Sequence, residues 1–361
     1  MDDIKPHFDP KNEFACLSFD QISDQLWDDF VDGCDEAWLH HRYKLQQAIS
    51  TWPGKQNISF AVVSPLKPDQ ILAAVPCQLI RAKIGCMFNW NAIESMGAPA
   101  LRANLDEGTR RRLLNHVVDW LSNLATLNDV YEIRFSVDNL APANRGDQIR
   151  LLNPLLELGC DNVVSQTWMI DLREGETAIW KRMEKRARNA IRKAEKIGVS
   201  VREAKIGRDL DIYYDLHCRT YRRTGVRPHP KAYFEAIWQD FLSQGKAKVF
   251  FAEYNEQIVA AENFGVYKNG ANYWTGAASK EGLAVQANSL IQWTAIRWML
   301  ENGIEWYETG EGFPFAREGK RKGLNDFKKS FGGKLLPFYR GRIITKKRFY
   351  RVYELLKSFK A

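Results

Sequence analysis

Twice along this chain a stretch of helical periodicity gives way to a β-meander, then to one amphipathic helix, then to a single closing strand. In the first half, DQISDQLWDDFVDG and EAWLHHRYKLQQAI place apolar residues at helical spacing, so the first 50 residues read as helical. NISFAVV, the turn SPLKPDQ and ILAAVPCQLIRAKIG switch to strand character, and Gly97, Ala98 and Pro99 break the run. DEGTRRRLLNHVVDWLSNLA is then a long amphipathic helix and VYEIRFSVD a strand.

The second half follows the same order without repeating residues. WKRMEKRARNAIRKAEKIG predicts one helix, with Trp180, Met183, Ala187, Ala190, Ala194 and Ile197 on one face, cations on the other and Gly198 as its stop. VSVREA and helices around DLDIYYDLHCRTYRR and PKAYFEAIWQDFLSQG precede a meander of KVFFAEY, IVAAENFGVY and ANYWTGAAS. Its turns fall at Asn255 and at Asn269 and Gly270, an Asn-Gly pair that strongly signals a hairpin. A helix from Asn288 to Glu301 and the strand IEWYET follow. Helix then strand after a meander predicts a parallel crossover within a mixed sheet. The expected fold is therefore α/β with mixed sheets, in two tandem units of residues 1–165 and 166–340. Residues 341–361 add a strand or helix packing back on the first unit.

Composition sets limits on function. A chain of 361 residues, 45% hydrophobic and 27% charged, is a folded protein long enough for two domains. The start, MDDIKPHFDPKNEF, has no apolar core of a signal sequence, and no run approaches the ~20 apolar residues that span a bilayer. A cytoplasmic protein without a membrane span is expected. Cys16, Cys34, Cys77, Cys86, Cys160 and Cys218 form no CxxC pair, and the six histidines do not join them at zinc-ligand spacing, so reduced thiols and no metal are expected. His40 and His41 read as surface or satisfied helix residues, and no partner is evident for His217.

The net charge of +8 is unevenly placed. From Gly310 onward 15 Lys and Arg face 4 Asp and Glu, and from Trp180 to Gly198 8 face 2, which leaves the remainder at −9. Such concentration suits a field for an anionic partner, whether phosphate, nucleic acid or nucleotide, with two solvated basic faces as the alternative.

Chemistry concentrates near the last of these basic stretches. In IEWYETGEG the side chains of Ile304, Trp306 and Glu308 share one strand face, so an apolar face ends in a carboxylate. The following loop, GLNDFKKSFGG from Gly323 to Gly333, sets Lys328 between Phe327 and Phe331 and ends in two glycines. Singly, these are a turn and a solvated lysine; together they place acid, base and flexible backbone at one cleft. REGKRKG, from Arg317 to Gly323, reads as a mobile basic loop hinged at Gly312, Gly319 and Gly323. Arg321 stands where a P-loop needs Ser or Thr, so no NTP site is indicated. Glu262, within AAENFG, is expected to face water from the pleat, with a third cleft carboxylate as the alternative. Tyr273 and Trp274 are expected in the core.

From Trp180 to Gly333 the chain resembles the FemAB-like branch of the GNAT acyltransferases, which includes the peptidoglycan bridge aminoacyl ligases and the BioF2-like (CelD-like) acetyltransferase domains. The likeness is carried by KRMEKRARNAIRKAEKIGVSV, IVAAENFGVYKNGANYWTGAAS, NSLIQWTAIRWMLENGIEWYETGEG and FKKSFGG, in the family's order and spacing. The first half fits by layout, with GAPA, Gly97 to Ala100, as a local match. The resemblance implies two tandem GNAT-like domains and transfer of an acyl group from an activated donor to an amine. The donor would be acetyl-CoA or another acyl-CoA, or aminoacyl-tRNA. The acceptor would be an amine-bearing small molecule, an amino sugar, or a peptidoglycan or polysaccharide precursor. Lys328, the lysine of the family's FK pair, falls at the donor end, whereas Glu308 stands where the family often has aspartate. GNAT enzymes hold the CoA pyrophosphate on a glycine-rich loop before a helix; here SKEGLAVQANS keeps Ser279, Gly282 and Ala284 in spacing but lacks the leading Arg or Gln.

Attack of an amine on a thioester or ribose ester needs no serine or cysteine nucleophile, which suits a chain with no GxSxG elbow. Glu308 or Glu311 is the candidate proton acceptor and Lys328 the candidate group for the oxyanion or a phosphate. Candidate donor-binding residues are Phe327, Phe331 and Lys329 beside it, Asn288 and Ser289 at the helix start, and Arg188 and Arg192 on the basic helix. A competing reading is a non-catalytic RNA- or tRNA-binding protein that keeps only the basic surface.

Overall fold

The computed structural model describes residues 13–84, 88–146, 151–347 and 349–350. Spatial proximity divides the chain into one unit of Met1–Val164 with Phe338–Ala361 and another of Ser165–Pro337.

In the first unit β1 (Ala15–Ser18), α1 (Asp24–Gly33) and α2 (Tyr43–Ile49) lead into β2 (Lys55–Asn57), β3 (Phe60–Ser64), β4 (Lys67–Val75), β5 (Gln78–Ile84), β6 (Phe88–Gly97) and β7 (Ala100–Leu101). The expectation of helix throughout the first 50 residues is corrected at its start: Ala15–Ser18 pairs antiparallel with Phe60–Val63 and buries Cys16 and Leu17. Four residues are too short for period to register. The long helix α3 (Glu107–Leu127) is capped by Asp106, which accepts from the Thr109 amide at 2.9 Å. It buries Leu113, Val117 and Leu121 against Val62, Ile93 and Ile133, and leads to β8 (Glu132–Val137), parallel to β6 from Ala92↔Glu132 to Gly97↔Val137. His40 and His41 lie in a short 3-10 helix with their rings satisfied: His41 is fully buried with Nε2 2.9 Å from the Ala98 carbonyl, and His40 Nδ1 is 2.7 Å from Asp138 Oδ1.

The second unit comprises β9 (Asp161–Asp171, from Ser165), α4 (Glu176–Arg182), α5 (Lys185–Lys196), β10 (Ser200–Glu203), α6 (Leu210–Arg223), α7 (Lys231–Ile237), β11 (Ala247–Tyr254), β12 (Gln257–Tyr267), β13 (Gly270–Ala278), α8 (Lys280–Ala284), α9 (Ala287–Glu301), β14 (Trp306–Glu311) and α10 (Gly319–Lys329). Its sheet runs β10-β11-β12-β13-β14-β9, and the expected parallel crossover is β13 to β14. Both meander turns are two-residue hairpins, Asn255-Glu256 and Lys268-Asn269, with positive φ at each position. Gly270 therefore opens β13 instead of sitting in the turn. α9 is buried on most sides, Leu290, Ile291, Ala295 and Ile296 packing with Ile191, Phe264 and Tyr307.

Two expectations fail here. The basic helix is broken at Met183, whose ψ of 143° is extended. Met183 buries its side chain in the core, and the Glu184 amide donates to the Ser330 carbonyl at 2.9 Å instead of continuing the helix. The stretch from Gly323 to Lys329, expected as loop, and Gly319–Gly323, expected as hinged, form α10. Asn325 pins that helix: its Oδ1 accepts from Trp168 Nε1 at 3.0 Å and from the Phe313 amide at 2.9 Å. A last strand, β15 (Lys334–Ile344), leaves this unit, and Arg340–Ile344 pairs with β8. Residues 351–361 of the expected C-terminal element lie outside the described residues, as does Cys86.

Candidate active site

β13 and β14 are paired only from Gly270↔Trp306 to Asn272↔Glu308. Beyond that point β13 stays with β12 as far as Ala278, while β14 follows β9. Two parallel strands that part after three pairs leave a crevice at their C-terminal ends, the place where open α/β sheets receive ligands. A cavity of about 320 Å³ occupies it, with Gly276 to Ala278 on one wall, Thr309 on the other, and Asn288, Gln292, Phe327, Lys328 and Phe331 from the helical side.

The geometry of β14 accounts for one edge. The strand bulges between Glu308 and Gly310, and Gly310 takes a φ of +95°. A bulge re-aims the side chains around it; here it turns Thr309 into the cavity and the Glu311 carbonyl toward α10. Lys328 Nζ donates to that carbonyl at 2.9 Å. Burial pulls the Lys328 ammonium below its usual range, opposed by the charges of Glu308 and Glu311. The Glu308 carboxylate accepts from Thr167 Oγ1 at 2.6 Å. Phe327 and Phe331 meet edge to face at 5.1 Å, the second fully buried.

Behind the cavity wall lies Glu262, wholly buried. Asn288 Nδ2 donates to its Oε1 at 2.7 Å and Gln292 Nε2 to its Oε2 at 2.6 Å, while Tyr307 Oη donates to Gln292 Oε1 at 2.6 Å. Desolvation pushes the carboxyl up to about 7, against the two amide bonds that favour its charge. The expectation that Glu262 faces water is thereby corrected. Gly276 stands opposite Glu262 in the β12–β13 register, and a Cβ there would overlap Tyr273 Oη. Tyr273 packs against the core beside Phe264 and also lines the cavity, and Trp274 packs edge-on to Phe241.

The sequence candidates divide accordingly. Lys328, Phe327, Phe331 and Asn288 converge on the cavity. Glu308 and Glu311 lie near enough to act on the charge of Lys328, Glu311 bonding it through backbone. Ser289 is buried within α9 and is not on the cavity wall. Arg188 donates to the carbonyls of Trp180 and Lys181 at 3.2 and 3.1 Å, and to that of Met183, closing the C-terminus of α4. Arg192 stacks over Trp180, 5.4 Å from the ring centre. Lys329 is largely exposed, 4.0 Å from Glu184. Gly332 and Gly333, expected as cleft backbone, are instead tight packing points against Arg182 and Met169, where a Cβ would stand 3.0 and 2.9 Å from backbone. Ser279 caps α8, and Gly282 lets that helix touch the Val259 carbonyl. Gln292, Thr309 and Arg223 escaped sequence reading, and Glu262 entered it only through the alternative of a third cleft carboxylate. The one available signal was the amide pair Asn288 and Gln292, one helical turn apart.

Among the described residues no group of three or more His, Cys, Asp or Glu is placed to hold a metal, and no helix is long and apolar enough to cross a membrane.

A mixed sheet parting between two parallel strands, with a helix between them in sequence, defines the GNAT fold, and residues 181–329 match the acetyltransferase (GNAT) domain family. The chain as a whole has a tandem GNAT fold. It resembles the crystal structure of FemX with a TM-score of 0.66 and 17% identity, over 93% of this chain and 99% of that one. The C-terminal domain of a putative lysylphosphatidylglycerol synthetase from Agrobacterium fabrum gives 0.56 and 13%, over 88% and 90%. A tandem GNAT protein from the clavulanic acid biosynthesis pathway gives 0.53 and 11%, over 92% and 98%. No curated protein matches the chain.

Proposed function

We propose that the protein is an N-acyltransferase that moves an acyl group from an activated donor, an acyl-CoA or an aminoacyl-tRNA, onto an amine. The carrying observation is the β13–β14 crevice with the desolvated Lys328 on its wall. With the donor carbonyl in the crevice, the acceptor nitrogen attacks it, the C–N bond forms, and the C–S or C–O bond breaks. Lys328 offers an N–H to the oxyanion that develops between these events. Glu308 or Glu311, both beside the cavity and close enough to act on Lys328, takes the proton leaving the amine, directly or through water, and a proton returns to the departing thiolate or ribose oxyanion. Holding both reactants in one crevice supplies ~7 to 11 kcal/mol of barrier reduction where alignment is good.

The basic segments suit a phosphate-bearing donor, since CoA and a tRNA acceptor end share that feature. An amine on a peptidoglycan or polysaccharide precursor fits the same reaction, and the names of the lysylphosphatidylglycerol synthetase and the tandem GNAT protein support acyl or aminoacyl transfer.

Incubation with acetyl-CoA and, separately, with charged tRNA tests the reading. Stabilisation by CoA at modest concentration supports the thioester route, because a ligand bound only to the native state raises its stability. Salt-sensitive tRNA binding without a response to CoA supports the other. Nucleic-acid affinity with no transfer to any amine, unchanged in Lys328→Ala, would replace the enzyme with the RNA-binding alternative.

A further inference from the structure

We propose that Asn288 is a specificity-determining contact of this cavity, held by Glu262 so that it presents an oxygen, and that the ligand group it receives is a hydrogen-bond donor, a primary ammonium above all. The inference deepens the reading of the same cavity as a transferase site, but its test needs no turnover.

The polarity of the network carries it. Above about pH 7, where its raised carboxyl is ionised and where the probes below are compared, Glu262 only accepts hydrogen bonds. Both oxygens of Glu262 are met by amide nitrogens, Asn288 Nδ2 at 2.7 Å and Gln292 Nε2 at 2.6 Å. Gln292 is then used at both ends, because its oxygen accepts from Tyr307. Asn288 is used at one: its Oδ1 is buried, has no hydrogen-bond partner, and belongs to a residue on the cavity wall. An approaching N–H or O–H fills that vacancy, whereas a carbonyl or carboxylate meets lone pair against lone pair. Charge narrows the choice further. Glu262 is bonded to amides and to no cation, so a positive group at Asn288 compensates a buried negative one.

The other titratable groups around Glu262 do not supply that compensation. Tyr273 on β13 and Tyr307 on β14 are held neutral by burial. The cations on the cavity wall are engaged elsewhere, Lys328 with the Glu311 carbonyl at 2.9 Å and Arg223 with the Ala278 carbonyl at 2.9 Å. The ammonium could belong to an aminoacyl donor or to the acceptor amine, and both share the chemistry read here.

Three probes of one length separate the possibilities: n-pentylammonium, 1-pentanol and pentanoate, titrated by NMR into the intact protein. We expect the wild type to bind pentylammonium at least about tenfold more tightly than pentanoate. Glu262→Gln, which keeps the volume and removes the charge, should bring the two within about threefold of each other. Asn288→Leu should lose most pentylammonium binding, weaken pentanol by no more than about tenfold and leave pentanoate no weaker than in the wild type; it serves also if Glu262→Gln does not fold. Preference of the wild type for pentanoate, or an ammonium preference unchanged in Asn288→Leu, overturns the proposal. Competition of pentylammonium against alanyl-tRNA but not N-acetylalanyl-tRNA assigns the site to the donor, and competition against the acceptor amine alone assigns it to the acceptor. If ammonium binds as expected yet no acyl transfer is found, the cavity assignment stands and the transferase reading falls.

Discussion

Lys328 Nζ lies 2.9 Å from the carbonyl oxygen of Glu311 and 3.0 Å from the point a Cβ on Gly310 would occupy. The lysine therefore depends on a residue without a side chain, held at a φ that L-residues rarely adopt. Gly310→Ala is expected to destabilise the protein by about 1–3 kcal/mol through backbone strain and to lower transfer further by displacing Nζ. Urea unfolding and steady-state rates measure the two effects. Full activity in a folded Gly310→Ala protein would show that Nζ needs no fixed position.

The depressed Lys328 ammonium gives the pH profile a sign. As an oxyanion donor the lysine works in its charged form, so the rate should fall as pH rises through a value below the ordinary 10.5. Lys328→Arg, charged throughout, should abolish that alkaline limb, and Lys328→Ala should cost about a hundredfold or more in kcat/KM at neutral pH. A limb that persists in Lys328→Arg belongs to another group.

Glu262 makes the opposite kind of prediction, in stability. Its carboxyl is raised from 4.5 to about 7 on folding, so between those values the folded chain holds a proton that the unfolded chain has released. Stability attributable to this group is therefore greatest below about 4.5 and declines as pH rises to about 7, by about 3 kcal/mol at roughly 1.4 kcal/mol for each pH unit of the gap. Urea denaturation of wild type and Glu262→Gln across that window isolates the slope as their difference. Parallel curves would mean that Glu262 stays ionised.

Much of the fold was legible because long periodic elements override local detail. The meander β11 to β13, the helix α9 and the parallel strand after it each carry a period over enough residues to be read, and their order sets where the crevice opens. Lys328 and Asn288, both singled out in the sequence, fall on the wall of its cavity. The break at Met183 was not legible, since the cationic pattern runs on across it and the stop rests on distant partners, Gly332 packed against Arg182 and Met183 and Ser330 accepting from the Glu184 amide. Helix α10 was hidden by Gly323, which disfavours a helix interior by about 1 kcal/mol until Asn325 ties the helix to Trp168 and Phe313. Glu262 was misread because one carboxylate in an apolar strand looks like a pleat facing water. Its partners stand 26 and 30 residues further along, on a helix whose facing side only the fold reveals.

Gly276 offers a test of the cavity that spares every charged group in it. An added Cβ would overlap Tyr273 Oη and stand 2.9 Å from its ring carbon, with Glu262 Cγ at 3.4 Å, so the flexible tyrosine must move while the backbone stays. Tyr273 lines the cavity, and Gly276→Ala should therefore change the space open to ligand, weakening its binding by about tenfold. Overpacking of this kind costs about 1–3 kcal/mol where neighbours cannot yield; because the tyrosine can, the melting temperature should change little. Removing the hydroxyl in Gly276→Ala with Tyr273→Phe relieves the closest overlap and should recover part of the affinity. Ligand affinity in Gly276→Ala equal to the wild type would place the binding site away from this wall of the crevice.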